Sequence, residues 1–236
     1  MVRNLSYRWR YWRRKFNDNL TITNALILIM VLMFLVTLIR FGTTENGEAL
    51  VAMGARFNPL MIAYHEWWRL VSAIFLHIGF EHLAINVFTL YFLGQELDYT
   101  VGWIKYLIIF FISGMGGNLA SFAFSSNISA GASTALFGCF AAFLVLGFIY
   151  PESSRLKQRS YTFGVLLVIN IIVGLFSPGL DNWGHLGGAV FGAVTTYLIC
   201  QPKYDEGKSK WLKQGLSLLV LIGLSLVLLS KGYGIF

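Results

Sequence analysis

Ser133, His185, His82 and Asn86 are the residues of this 236-residue chain whose types can do chemistry together. A serine hydroxyl is a weak nucleophile until a base within hydrogen-bond reach takes its proton, and a neutral imidazole is the usual base. Ser133 lies in Ser129–Gly138, which reads Ser-Ala-Gly-Ala-Ser-Thr-Ala-Leu-Phe-Gly and opens an apolar run that ends at Tyr150. Packing alone also accounts for such a stretch, because serine caps helices and small residues line contacts between membrane helices. A capping box is missing, since Leu136 stands where Glu or Gln would serve. His82 and Asn86 are four apart and share a helix face, which suits either a bond to a neighbouring helix or a common site. His185 is followed by Gly188 and Gly192 on nearly the same face, a spacing that lets two helices approach closely. Attack by Ser133 with His185 as base creates an oxyanion. The His82 and Asn86 side chains, the Ser133 backbone N–H and the positive end of its helix are the available donors. As a plain alternative, His185 is an interfacial histidine on a helix capped by Asp181 or Asn182.

The elements that must position these residues belong to a membrane. Hydrophobic residues make up 56% of the chain and charged ones 12%, with a mean hydropathy of +0.65, which excludes a soluble domain. Seven apolar runs are of spanning length: Thr21 to Ile39, Phe80 to Leu97, Trp103 to Phe124, Ser133 to Tyr150, Tyr161 to Phe176, Trp183 to Cys200 and Leu212 to Leu229. Pro59, Pro151, Pro178 and Pro202 all fall between them. The expected fold is therefore all-α and polytopic. No small-residue cleavage site follows the first run, so it is expected to stay as an anchor. Residues 41 to 76 carry Glu45, Glu48, Arg56, Glu66 and Arg69 among aromatics, and read as an interfacial, partly embedded loop. Residues 1 to 20 interleave six basic residues with Tyr7, Trp9, Tyr11, Trp12 and Phe16, a pattern for anionic lipid more than for nucleic acid. Cys139 and Cys200 each lie in an apolar run and read as packing residues.

Charge sets the direction. With the N-terminus cytoplasmic, 14 of the 18 Lys and Arg residues fall on the inner side, leaving Arg40, Arg56, Arg69 and Lys231 outside. The second, fourth and sixth spans then run from outside to inside, and their first turns hold His82 with Asn86, Ser133, and His185 at one depth. Ionisable groups at membrane depth are costly and mark function by default.

At this point the chain resembles the rhomboid family of intramembrane serine proteases over roughly Phe57 to Ile199. The resemblance rests on Glu66-Trp67-Trp68-Arg69-Leu70, on Phe75-Leu76-His77 followed by His82-x-x-x-Asn86, and on Gly114-Met115-Gly116-Gly117-Asn118. It is completed by Gly131-Ala132-Ser133 through Gly138 and by His185-Leu186-Gly187-Gly188 through Gly192. It implies a Ser133–His185 dyad without an essential acid, His82 and Asn86 at the oxyanion site, and Phe137 packed on the catalytic imidazole. It also places Trp68 and Arg69 in a loop that dips into the outer leaflet. Residues 21–200 would be a six-helix catalytic core, and residues 201–236 a linker and a seventh transmembrane helix. The implied activity is hydrolysis of other proteins' membrane helices, with no cofactor and no metal, in a bacterial plasma membrane with the site toward the extracellular side. Substrates would be single-span or other membrane proteins; the oligomeric state is left open.

One departure stands beside the nucleophile, where the family commonly has glycine and this chain has Thr134. A β-branched residue there leads to an expectation of altered substrate tolerance or rate, without loss of the chemistry. Two other functions compete with this one. His65-Glu66-Trp67-Trp68 begins a zinc-protease motif, but Arg69 replaces its second histidine. A non-catalytic chaperone or transporter could hold a client helix in the same polar pocket, although transporters tend to show repeated halves and none is evident.

Overall fold

A computed structural model describes residues 21–177, 179–201 and 208–234. The basic segment of residues 1–20, with Pro178 and Pro202, lies outside them. Ten α-helices occur among the described residues: α1 (Ile22–Phe41), α2 (Gly47–Met53), α3 (Asn58–Ala63), α4 (Arg69–Ser72), α5 (Gly79–Val101), α6 (Trp103–Phe124), α7 (Ser133–Ile149), α8 (Ser154–Phe176), α9 (Asn182–Ile199) and α10 (Lys208–Tyr233). A 3₁₀ turn, Ala73–Phe75, follows α4. Strand pairing among the described residues is confined to one antiparallel bridge between Arg56 and Ser129. α1, α6, α8 and α10 are each long and apolar enough to cross a bilayer, and α4 with its 3₁₀ turn joins α5 as a pair bent by 92°. The protein is an integral, multi-pass membrane protein.

Several helices run past the hydropathy reading, α10 by four residues at each end and α5 and α8 at one end. α5 continues past Leu97 to Val101, and α8 begins at Ser154, well before Tyr161. Hydropathy cannot see the turns of α5 and α8 because polar and charged residues interrupt the apolar runs there. The Ser153 hydroxyl accepts the Leu156 N–H as a cap, and Glu96 at the end of α5 pairs with Arg155 at 2.6 Å and Arg159 at 3.0 Å. Helices extend beyond the apolar slab where such partners replace lipid.

α7 lies at the centre. Its residues from Thr134 to Phe143 are all buried, as expected of a helix that is apolar all round. Small residues set its neighbours. A side chain at Gly188 would strike the Thr134 carbonyl, and one at Gly192 would strike the Gly138 backbone, so α9 and α7 run parallel with backbones in contact. Gly117 against Thr134 and Gly138 against Ser113 make α6 antiparallel to α7, as Gly147 against Ser160 and Gly164 against Leu144 do for α8. The Glu96 ion pairs set α5 antiparallel to α8. The first turns of α5, α7 and α9 therefore share one end of the bundle. α10 closes the opposite flank, with Gln214 Nε2 donating to the Leu198 carbonyl and Tyr233 lying 5.9 Å from the Trp67 ring.

Candidate active site

The loop between α1 and α5 is a folded plate. Asn46 caps α2, whose C-terminus turns at Gly54 with φ +105°. Arg69, 4% exposed, donates to the carbonyls of Val51 (2.7 Å) and Ala55 (2.9 Å) and pairs with Glu66 at 2.6 Å. Its guanidinium also lies over the Trp68 ring at 4.7 Å, while Trp68 itself is half exposed. His65 and Glu66 sit in irregular backbone before α4, and Glu66 is committed to Arg69, so the zinc-motif fragment has no helical face. The fully buried Arg56 guanidinium bonds the Asn58 side chain and the carbonyls of Ser125 and Asn127. Burial pulls its pKa down to about 10, and the nearby Asp181 charge works against that fall.

This plate holds the strand that leads into α7. Arg56 and Ser129 exchange backbone bonds of 2.9 and 3.1 Å, and the Gly131 N–H donates to the Ala73 carbonyl at 2.9 Å. Gly131 has φ +143°, and a Cβ there would meet His82 Cε1 and Nε2, so glycine serves both the turn and the close approach of the imidazole. Ser133 is the first residue of α7. The N-cap is Ala132, with no side-chain cap bond. Ser133 Oγ instead lies 2.9 Å from His185 Nε2.

His185 enters from the first turn of α9, which Asp181 caps by accepting the Gly184 N–H at 2.9 Å. Phe137, one turn along α7, stacks on the imidazole with centroids 4.2 Å apart and planes 8° from parallel. His185 Nδ1 has no partner among the described residues. A hydroxyl both donates and accepts, so this contact serves either tautomer, and the one with the proton on Nδ1 offers Nε2 as a base.

His82 comes from the first turns of α5. Its Nδ1 accepts the Ile78 N–H at 3.4 Å, which leaves the proton on Nε2, the nitrogen turned toward Gly131. Asn86 is buried beneath it, and its Nδ2 donates to the His82 carbonyl at 2.8 Å. One Asn86 N–H is thus used on its own helix, and the buried Oδ1 has no partner among the described residues. Gly188 and Gly192 lie in the α7–α9 seam, Gly138 faces Ser113 and Gly188, and Thr134 is turned away from the mouth against Gly117 and Gly184. One residue along a helix is a rotation of about 100°, so the neighbour of Ser133 faces the helix seam.

Sequence reasoning missed part of the surround. His77 lies edge-on to His82 with ring centroids 5.2 Å apart, and its Nε2 is 3.5 Å from the Ala132 N–H. Only its place within the quoted motif pointed to it. Ser121 and Ser129 both bond the Asp181 carboxylate, a contact that no local pattern announces.

The Rhomboid domain family model matches residues 64–202. The chain belongs to the rhomboid family. It is similar to the Rhomboid protease GluP of Bacillus subtilis, with 38% identity over 92% of this rhomboid chain and 41% of the relative. It is also similar to RHOMBOID-like protein 1 of Arabidopsis thaliana, with 34% identity over 67% of this chain and 41% of the relative. Rhomboid-type serine protease 2 of Emericella nidulans is 35% identical over 54% of this chain and 26% of its own length. The chain thus spans about two fifths or less of these relatives.

Proposed function

We propose that this rhomboid chain is an intramembrane serine endopeptidase that cuts the membrane helices of other proteins. The observation that carries the reading is the 2.9 Å contact between Ser133 Oγ and His185 Nε2, with Phe137 stacked behind the imidazole, at the first turns of two parallel buried helices. As Ser133 Oγ bonds to the scissile carbonyl carbon, its proton passes to His185 Nε2. The carbonyl oxygen becomes an oxyanion, taken by the Ser133 backbone N–H, which an α-helix leaves unpaired in its first turn, and by His82 Nε2–H. Asn86 joins them on releasing the His82 carbonyl. The imidazolium then protonates the departing amine as the C–N bond breaks. Water repeats the sequence on the acyl-serine and restores the hydroxyl.

In this reading the chain supplies nucleophile, base and donors itself, so neither metal nor nucleotide takes part. Residues 21–200 form the six-span core, and α10 is a seventh span reached through the linker from residue 201. The N-terminus, with its basic segment on anionic lipid, is cytoplasmic, and the site opens toward the extracellular side of a bacterial plasma membrane. The supporting feature is the excess of basic residues on one side of the expected spans. Substrates are single-span or other membrane proteins whose helices unwind near their outer ends.

The test is cleavage of a model single-span substrate in detergent or vesicles, with labelling by a serine-directed fluorophosphonate. The expected result is cleavage and label at Ser133, both suppressed in His185→Ala. Proteolysis undiminished in Ser133→Ala, or sensitivity to a chelator in place of the serine reagent, would sink the mechanism. Stable binding of an uncut substrate would return the pocket to a chaperone role.

A further inference from the structure

Asp181 takes no part in the steps above, yet three elements meet at its side chain. Its Oδ1 accepts the Gly184 N–H at 2.9 Å, and its Oδ2 accepts the Ser121 hydroxyl from α6 at 2.5 Å and the Ser129 hydroxyl at 2.6 Å. Its own carbonyl accepts the His185 N–H at 3.0 Å. Ser129 precedes Ser133 by four residues, as Asp181 precedes His185. The Ser129–Asp181 bond and the Ser133–His185 contact therefore tie the same two segments with the same sequence offset of 52. The first rung is a hydroxyl on a carboxylate, which is short and roughly twice as strong as a bond between neutral groups. The second is the reacting pair.

Ser129 is itself pinned to Arg56 by two backbone bonds, and Arg56 is fixed by Asn58, Ser125 and Asn127. The far nitrogen of the His185 ring has no partner among the described residues. The imidazole is therefore placed by the Phe137 face and by the backbone of the first turn of α9, not by an acid behind it. We propose that Asp181 is a positioning residue for the Ser133–His185 pair: its carboxylate clamps the first turn of α9 to the strand entering α7 and so sets the distance across which the proton moves. The inference rests on the serine–histidine reading above.

The experiment uses the full chain in detergent, comparing native protein with Asp181→Ala, Asp181→Asn and the double variant Ser121→Ala/Ser129→Ala. Each is followed by the rate of fluorophosphonate labelling at Ser133, by kcat and KM on a single-span substrate, and by thermal unfolding. Loss of the clamp in Asp181→Ala lowers labelling and kcat by about a hundredfold with KM little changed, as expected when reacting atoms shift by about an ångström. Asparagine keeps the cap and one serine bond, so Asp181→Asn stays within about tenfold of native. The serine double variant, which leaves Asp181 and both reacting residues in place, slows labelling by about tenfold while remaining folded. Labelling of folded Asp181→Ala at the native rate overturns the proposal. A loss in Asp181→Ala that only follows unfolding, with the serine double variant at native rate, also overturns it. Native protein that takes no label at Ser133 overturns the serine–histidine reading instead.

Discussion

Phe137 and His185 lie face to face, 4.2 Å between centroids and 8° from parallel. An offset aromatic stack contributes roughly 1 kcal/mol beyond the area it buries. Here it also fixes the plane of the imidazole. Phe137→Leu keeps much of the volume and removes the face, and should slow fluorophosphonate labelling about fivefold with a small change in melting temperature. Phe137→Tyr keeps the face and should stay nearer native. Equal rates in native protein and Phe137→Leu would leave the ring as filler.

The seam between α7 and α9 admits no side chain at Gly188 or Gly192, where a Cβ would meet backbone atoms of Thr134 and Gly138. Gly192→Ala should cost about 1–3 kcal/mol as the helices are forced apart, and should abolish labelling before it abolishes folding. Gly215 and Gly223 in α10 face open space. Alanine there should be neutral or stabilising by up to about 1 kcal/mol, which thermal unfolding of the three variants will compare.

Thr134 fills the space that Gly117 and Gly184 leave between α6 and α9. Thr134→Gly, which restores the commoner family residue, should lower stability by about 1–3 kcal/mol through the cavity and the added backbone freedom. Because the side chain faces away from the mouth, cleavage ratios across a panel of substrates should not move. A changed ratio with unchanged melting would return Thr134 to the role first expected of it.

Arg69 bonds two carbonyls of the loop plate and the Glu66 carboxylate at once. Arg69→Ala leaves those acceptors unpaired at a cost of about 1–3 kcal/mol. Arg69→Lys cannot fork between them and should recover only part. The expected readout is faster limited proteolysis between residues 51 and 69, with kcat falling while label still reaches Ser133. Unchanged cleavage of that loop would detach Arg69 from its rigidity.

The site was legible wherever the membrane made polarity expensive. Ser133, His185, His82 and Asn86 stood out because lipid leaves them few other uses, and counting spans put them at the starts of helices running in one direction. The glycines at positions 188 and 192 were legible for the same reason, since backbone contact leaves a spacing in the sequence. The side-chain directions were not. Thr134 points into a seam because of a helical rotation that depends on where α7 starts. The bonds of Ser121 and Ser129 to Asp181 depend on three segments meeting, and serine in an apolar run reads as packing. The charged start of α8 was hidden because its support, Glu96, lies on another helix, and the contact of Tyr233 with Trp67 joins residues that share no pattern.

Ser133 and His185 are 52 residues apart, and the Gly188 and Gly192 seam helps to bring them together. In the proposed mechanism, Ser133 therefore emerges with α7 during synthesis before the base that would take its proton, His185, has been added. If the proposed mechanism holds, assembly of α9 is the step that arms the hydroxyl, and the arrival of that helix decides when hydrolysis begins.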